Sequence, residues 1–208
     1  MSSQGTAPSK ADTWGGLDES SKKMVLYIFQ QEVMQQAAFA LRAAAEIDSL
    51  LQNPTRLDHD RFWANVQLFL TGAANVSKLL WPPDDRKTAA AWRGRGSILR
   101  ASLNVPDASA LQQKGFRNDF EHFDERLEKW LTDSPNRNIA DRNIGPKGMI
   151  LGLQDQEFMR GFDPTTWSIT FNGESHDSLA VRRELATLHA AASRPTAQPW
   201  WHAPNPPP

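Results

Sequence analysis

An arginine, a small polar residue and, five positions after the arginine, a histidine stand together in Arg117-Asn118-Asp119-Phe120-Glu121-His122. These side chains suit phosphodiester chemistry. An imidazole exchanges protons near neutral pH. A guanidinium is permanently charged and grips phosphate oxygens as a two-pronged fork. With RNA as substrate, the substrate's own 2′-hydroxyl can be the nucleophile. Such a reaction needs no cofactor, no metal and no nucleophile from the protein.

The spacing supports a shared surface strip. On a helix with Arg117 at about 0°, Asn118 sits near 100°, Glu121 near 40° and His122 near 140°. The apolar residues Phe116, Phe120, Phe123, Leu127, Trp130 and Leu131 form a stripe centred near 270°. All four polar groups therefore face away from the expected core. Asn118 and His122 are four apart and can hydrogen-bond, which fixes the imidazole tautomer. Arg117 and Glu121 share the same spacing and can pair.

Several elements must position this strip. Periodic apolar residues predict helices over Lys22–Leu51, Asp58–Leu80, Arg86–Leu103 and about 115–131. Ser20 and Ser21 are candidate caps of the first helix. Phe62, Val66, Phe69, Ala73, Val76 and Leu80 mark the buried side of the second. Pro54, Pro82-Pro83, Pro106 and Pro135 supply the stops. Gly94 and Gly96 predict a kink or break in the third helix. The pattern then changes. Met149–Leu153 reads as a short strand and Thr166–Phe171 as a second, with Asn172-Gly173 as a hairpin turn. A last helix is expected over Ser178–Ala192. The expected architecture is mainly α: an up-and-down four-helix bundle with a small C-terminal β element and a final helix. Its divisions are a flexible lead (1–18), the bundle (19–135), a β–α extension packed on it (136–193) and a tail (194–208) with six prolines in 15 positions.

Composition narrows the function classes. The 208 residues are 39% hydrophobic and 23% charged, which is ordinary for a globular chain. A net charge of -1 excludes a histone-like polycation but not a local basic face. No run of about 18 apolar residues is present, so no membrane span is expected. No signal peptide is legible, and the expected compartment is the cytoplasm. The absence of cysteine excludes disulfides, thiolate metal sites and a cysteine nucleophile.

Arg117-Asn118-x-x-x-His122, in a helical bundle, resembles the signature of the HEPN superfamily: an arginine, a polar residue, and a histidine after four to six intervening positions. The longer stretches RNDFEHFDERLEKW and FDPTTWSITFNGESHD also look like bacterial HEPN-like proteins, so the resemblance covers residues 20–190. It implies a metal-independent endoribonuclease of a toxin–antitoxin or phage-defence system, acting on single-stranded or structured RNA. It further implies a homodimer with a composite cleft, and an antitoxin protein as a candidate partner. Carried over, Arg117 and His122 are catalytic and Asn118 supports them. Because not all such proteins cleave RNA, a non-catalytic interaction or RNA-binding module is the alternative.

Other residues compete or assist. Residues 86–100 hold Arg86, Lys87, Arg93, Arg95 and Arg100 and no acid. Arg93, Arg95, Arg100 and Glu121 are therefore candidate substrate contacts, Arg100 foremost. The competing reading pairs the arginines with acids of the fourth helix. Arg183 and His189 repeat the loose arginine–histidine spacing without the polar neighbour, and read as an ordinary amphipathic face. Asp58-His59-Asp60 and His176-Asp177 lack further ligands at metal spacing, so caps and turns are the expected roles.

Overall fold

The computed structural model describes residues 14–82, 94–112, 123–134 and 137–192. The expected lead before Trp14, the start of the third helix (86–93), the motif-bearing stretch 113–122 and the proline-rich tail lie outside them. The chain is mainly helical, with a small four-stranded sheet and a final helix.

Helix α1 spans Glu19–Leu51 and α2 spans His59–Leu80. Their starts follow from short polar caps. Asp18, rather than the expected Ser20 or Ser21, caps α1, accepting from Ser21 N at 2.9 Å and Ser21 Oγ at 2.8 Å. Those bonds from Ser21 hold the Asp18 carboxyl below its usual pKa. Asp58 caps α2 through Arg61 N at 3.0 Å. The two helices pack closely where residues are small. A Cβ on Gly72 would lie 2.9 Å from Ala40 Cβ and 2.9 Å from the Gln36 carbonyl. All six residues expected to face inward on α2 are buried.

Helix α3 is shorter than expected, Arg95–Ser102. Gly94, at φ 82°, stands where the helix begins, which fits the break expected there; residues 86–93 before it lie outside the described residues. Gly96 lets α3 cross the end of α2: a Cβ there would meet Pro82 Cδ at 2.6 Å and the Leu80 carbonyl at 2.7 Å. Helix α4, Phe123–Asp133, follows the motif, and α5 spans Ser178–Ala192, as the periodicity predicts.

The sheet runs β1 (Asn143–Ile144), β2 (Arg160–Asp163), β3 (Ser168–Phe171), β4 (Glu174–His176) in that spatial order. β1 pairs parallel with β2; the other pairs are antiparallel. Met149–Leu153 is not a strand. It comprises the end of a 3-10 turn (Lys147–Met149) and a bend through Gly152 at φ 84°, with Leu151 89% exposed. Among the described residues no strand pairs with it. The hairpin at Asn172-Gly173 does form, both residues having positive φ (45° and 81°), as a primed turn requires.

One face of the sheet carries Phe162 and Ile169 into the helices. Phe162 meets Phe62 edge-on at 5.2 Å, and Trp167 meets Phe162 at 5.2 Å and Phe69 at 5.1 Å. These rings join α1, α2 and α5 in one hydrophobic core, with Leu99 and Leu103 from the α3 region. The mainly helical class is as expected; the four-helix arrangement involves residues 86–93 and 115–122, which lie outside the described residues. A further long helix, α5 from the end of the chain, packs beside α1, and among the described residues α4 contributes none to this core. The expected stripe on α4 is only partly inward: Trp130 is buried, while Leu131 is 51% exposed.

Candidate functional site

Arg117, Asn118, Glu121 and His122 lie outside the described residues, as does Arg93. The structure does describe what holds the two ends of their segment. On the near side, a 3-10 turn over Ala110–Gln112 is anchored to α5. Glu184 accepts from Ser109 Oγ and, at 2.8 Å, from Ala110 N, while Leu111 is buried in the core. On the far side α4 is tethered by Trp130, whose Nε1 donates to the Asn138 carbonyl at 3.1 Å.

Arg95 and Arg100 serve the end of α2. Arg95 Nη1 donates to the Leu79 carbonyl at 3.0 Å and Arg100 Nη1 to the Leu80 carbonyl at 2.8 Å. The last carbonyls of a helix lack intrahelical partners and carry partial negative charge, so two guanidinium groups neutralise them. Each arginine is also stacked. Arg95 lies 4.1 Å from the Phe29 ring centroid and Arg100 lies 5.3 Å from that of Trp81. Arg95 is only 7% exposed, and burial lowers its pKa from the usual arginine value. Arg100 also reaches Asp107 at 3.6 Å. The sequence suggested phosphate contacts for both; in the structure each guanidinium also holds a carbonyl at the end of α2.

A second polar cluster has no signal in the sequence. Asp48 Oδ1 accepts from Trp167 Nε1 at 2.9 Å and from Arg182 Nη1 at 3.1 Å; Oδ2 accepts from Arg182 Nη2 at 2.5 Å. The Arg182 guanidinium lies 4.9 Å from the Trp167 ring centroid. This triad ties α1, the β2–β3 turn and α5 together. Each member's polar groups face another member, which suits a clasp.

The sheet's other face presents Asn143, Gly161, Asp163, Ser168, Thr170 and Ser175 around a hollow of about 80 Å³. Asp163 is committed to the β2–β3 turn, accepting from Thr165 N at 2.8 Å and Thr165 Oγ1 at 2.7 Å. Burial pushes its carboxyl pKa up, but the bonds from Thr165 and Thr166 outweigh that and leave it below the usual value. Glu157 is 1% exposed and closes its own 3-10 turn by accepting from Gln154 N at 2.8 Å.

Asp58 is a helix cap, and Asp60 pairs with Arg142 at 2.8 Å, whose carbonyl accepts from Trp63 Nε1. His189 is half-buried on α5 and Arg183 is exposed. Among the described residues no three histidine or carboxylate side chains gather as a metal site. No described helix is long and apolar enough to cross a membrane. Comparison with known proteins returns no matching family model, no matching curated protein and no matching solved structure.

Proposed function

We propose that the chain is a metal-independent endoribonuclease of the HEPN type, serving a toxin–antitoxin or phage-defence system as a homodimer. The observation that carries this reading is the Arg117-Asn118-x-x-x-His122 spacing immediately ahead of α4. The mainly helical fold is consistent with it. In the reaction the RNA 2′-oxygen bonds to the adjacent phosphorus as its proton leaves. The bond from phosphorus to the 5′-oxygen breaks, and that oxygen takes a proton. His122 handles one of the two proton transfers, Arg117 stabilises the charge on the five-coordinate phosphorus, and Asn118 orients His122.

A second reading is a non-catalytic interaction or RNA-binding module, and one observation favours its interaction form over RNA binding. Arg95 and Arg100 are engaged by the end of α2, which leaves fewer cations of the 86–100 stretch for a phosphate backbone.

The test is direct. Purified full-length chain in excess EDTA should cut RNA and leave 2′,3′-cyclic phosphate ends, while DNA of the same sequence survives because it lacks the 2′-hydroxyl. RNA that stays intact across single-stranded and structured substrates moves the assignment to the second reading.

A further inference from the structure

The described surface has an apolar hollow of about 250 Å³ where α5 faces the end of α3 and the chain that follows it. Its floor is the outer edge of three core residues, Leu103, Leu111 and Leu188, each 5% exposed or less. Val105 and Pro106 form one wall, and α5 supplies the other with Arg183 and Thr187, both exposed. Glu184 at the margin is already committed to Ser109 and Ala110. Leu111 belongs to the 3-10 turn just ahead of the motif-bearing stretch, so the hollow adjoins the anchor of that stretch.

Two observations bear on what covers it. One is reach. Helix α5 ends at Ala192, and residues 193–208 lie outside the described residues. Trp200 stands eight positions beyond that end, and eight residues at about 3.1 Å each span up to about 25 Å. Leu188 and Arg183 lie four and nine residues before Ala192, about 6 and 14 Å back along the helix axis. A chain that doubles back from the end of α5 therefore covers the hollow with length to spare. The other observation is chemical. Trp200 and Trp201 are the only large apolar side chains after α5; the rest of that stretch is small, polar or proline. An indole needs an apolar seat with a polar group at its margin. A hollow floored by leucines, with Asn104 and Thr187 at its rim, provides both. The Arg183 guanidinium has no carboxylate or ring partner among the described residues. Elsewhere this chain lays arginine on an aromatic ring repeatedly: Arg95 on Phe29, Arg100 on Trp81 and Arg182 on Trp167.

We propose that the chain's own Trp200-Trp201 closes this hollow, one indole seated on Leu103, Val105 and Leu188 and its neighbour beside the Arg183 guanidinium. A short tether holds the pair at an effective concentration in the millimolar range, so a contact too weak to capture a free peptide at micromolar concentration is still mostly occupied within one chain. Pro195 and Pro199 limit the freedom lost on docking. The inference rests neither on the dimer nor on RNA cleavage.

Because the chain has no cysteine, disulfide trapping on the full-length protein reads the contact directly. A variant carrying Thr187→Cys and His202→Cys places one thiol at the rim of the hollow and one beside the tryptophans. A control carrying Ala186→Cys and His202→Cys keeps the same tether. Ala186 is exposed on α5 but does not line the hollow, being turned about 100° from Thr187. Under mild oxidation the first pair should close within one chain about tenfold faster than the control, a part of the local-concentration gain that docking brings. Adding Trp200→Ala and Trp201→Ala to both should make the two rates converge, with circular dichroism unchanged. Equal rates while the tryptophans are present overturn the proposal, as does a preference for position 187 that survives their loss. Disulfide-linked dimers as the main product of the first pair assign the hollow to another copy's tail and overturn it as well.

Discussion

Helices α2 and α4 both carry a clear apolar stripe, yet they end in different surroundings. On α2, Phe62, Val66, Phe69, Ala73, Val76 and Leu80 are all buried, enclosed by α1 on one side and by Phe162 and Trp167 from the sheet region on the other. On α4, Trp130 is buried but Leu131 is half in solvent, and none of the helix's described side chains belongs to the shared core. Periodicity states which side of a helix is apolar. It does not state what will cover it, and here α5, from the end of the chain, packs beside α1.

The largest test of that contrast compares Phe69→Ala with Leu131→Ala. Phe69 is fully buried and edge-on to Trp167, so its truncation leaves a cavity and should cost about 3–5 kcal/mol. Leu131→Ala should change stability by less than about 0.5 kcal/mol. Urea unfolding of the two variants checks both values. A large loss at Leu131 would show that α4 belongs to the cooperative core after all.

The same contrast explains what was legible in the sequence. The bounds of α2 and α5 were readable because each has a continuous apolar period, and α2 has a cap at Asp58 and a proline stop. Asn172-Gly173 was readable because few dipeptides tolerate two positive φ values. The strands β1, β2 and β4 were not, since segments of two to four residues carry too few positions for a period. Their pairing comes from neighbours brought in by the tertiary fold. Met149–Leu153 misled for the converse reason, an apolar run without a strand beside it. The roles of Arg95, Arg100 and the Asp48–Trp167–Arg182 clasp depend on residues 16, 20, 119 and 134 positions away. No local pattern encodes such distances. The candidate catalytic motif was legible as chemistry from its own six residues, and its segment lies outside the described structure.

An intermediate effect separates two glycines. Gly96→Ala places a Cβ against Pro82 and the Leu80 carbonyl where α3 crosses α2, and should cost about 1–3 kcal/mol. Gly148→Ala meets nothing within 4 Å and should not destabilise through contact. Thermal unfolding compares them; equal melting temperatures would mean that α3 can shift off the end of α2 at little cost.

The smallest effect is in acid. Asp163 has a folded-state pKa below the ordinary carboxylate value, so its contribution is fully present above the unfolded value of about 3.9. It is lost as pH falls through the lower folded value. Asp163→Asn should therefore flatten the decline of stability below about pH 4 and leave its slope near neutrality unchanged. A variant as acid-sensitive as wild type would show that the Thr165 bonds do not favour the charged form.

The functional claim depends on one side chain more than on any other. Cleavage of a single-stranded RNA in excess EDTA should be measured for wild type, His122→Ala and His189→Ala, with circular dichroism on each. The account predicts that His122→Ala loses about 10²–10⁴-fold in rate, the usual worth of a positioned proton-transfer group, while His189→Ala cuts as well as wild type. A His122→Ala variant that cuts at the wild-type rate would contradict it.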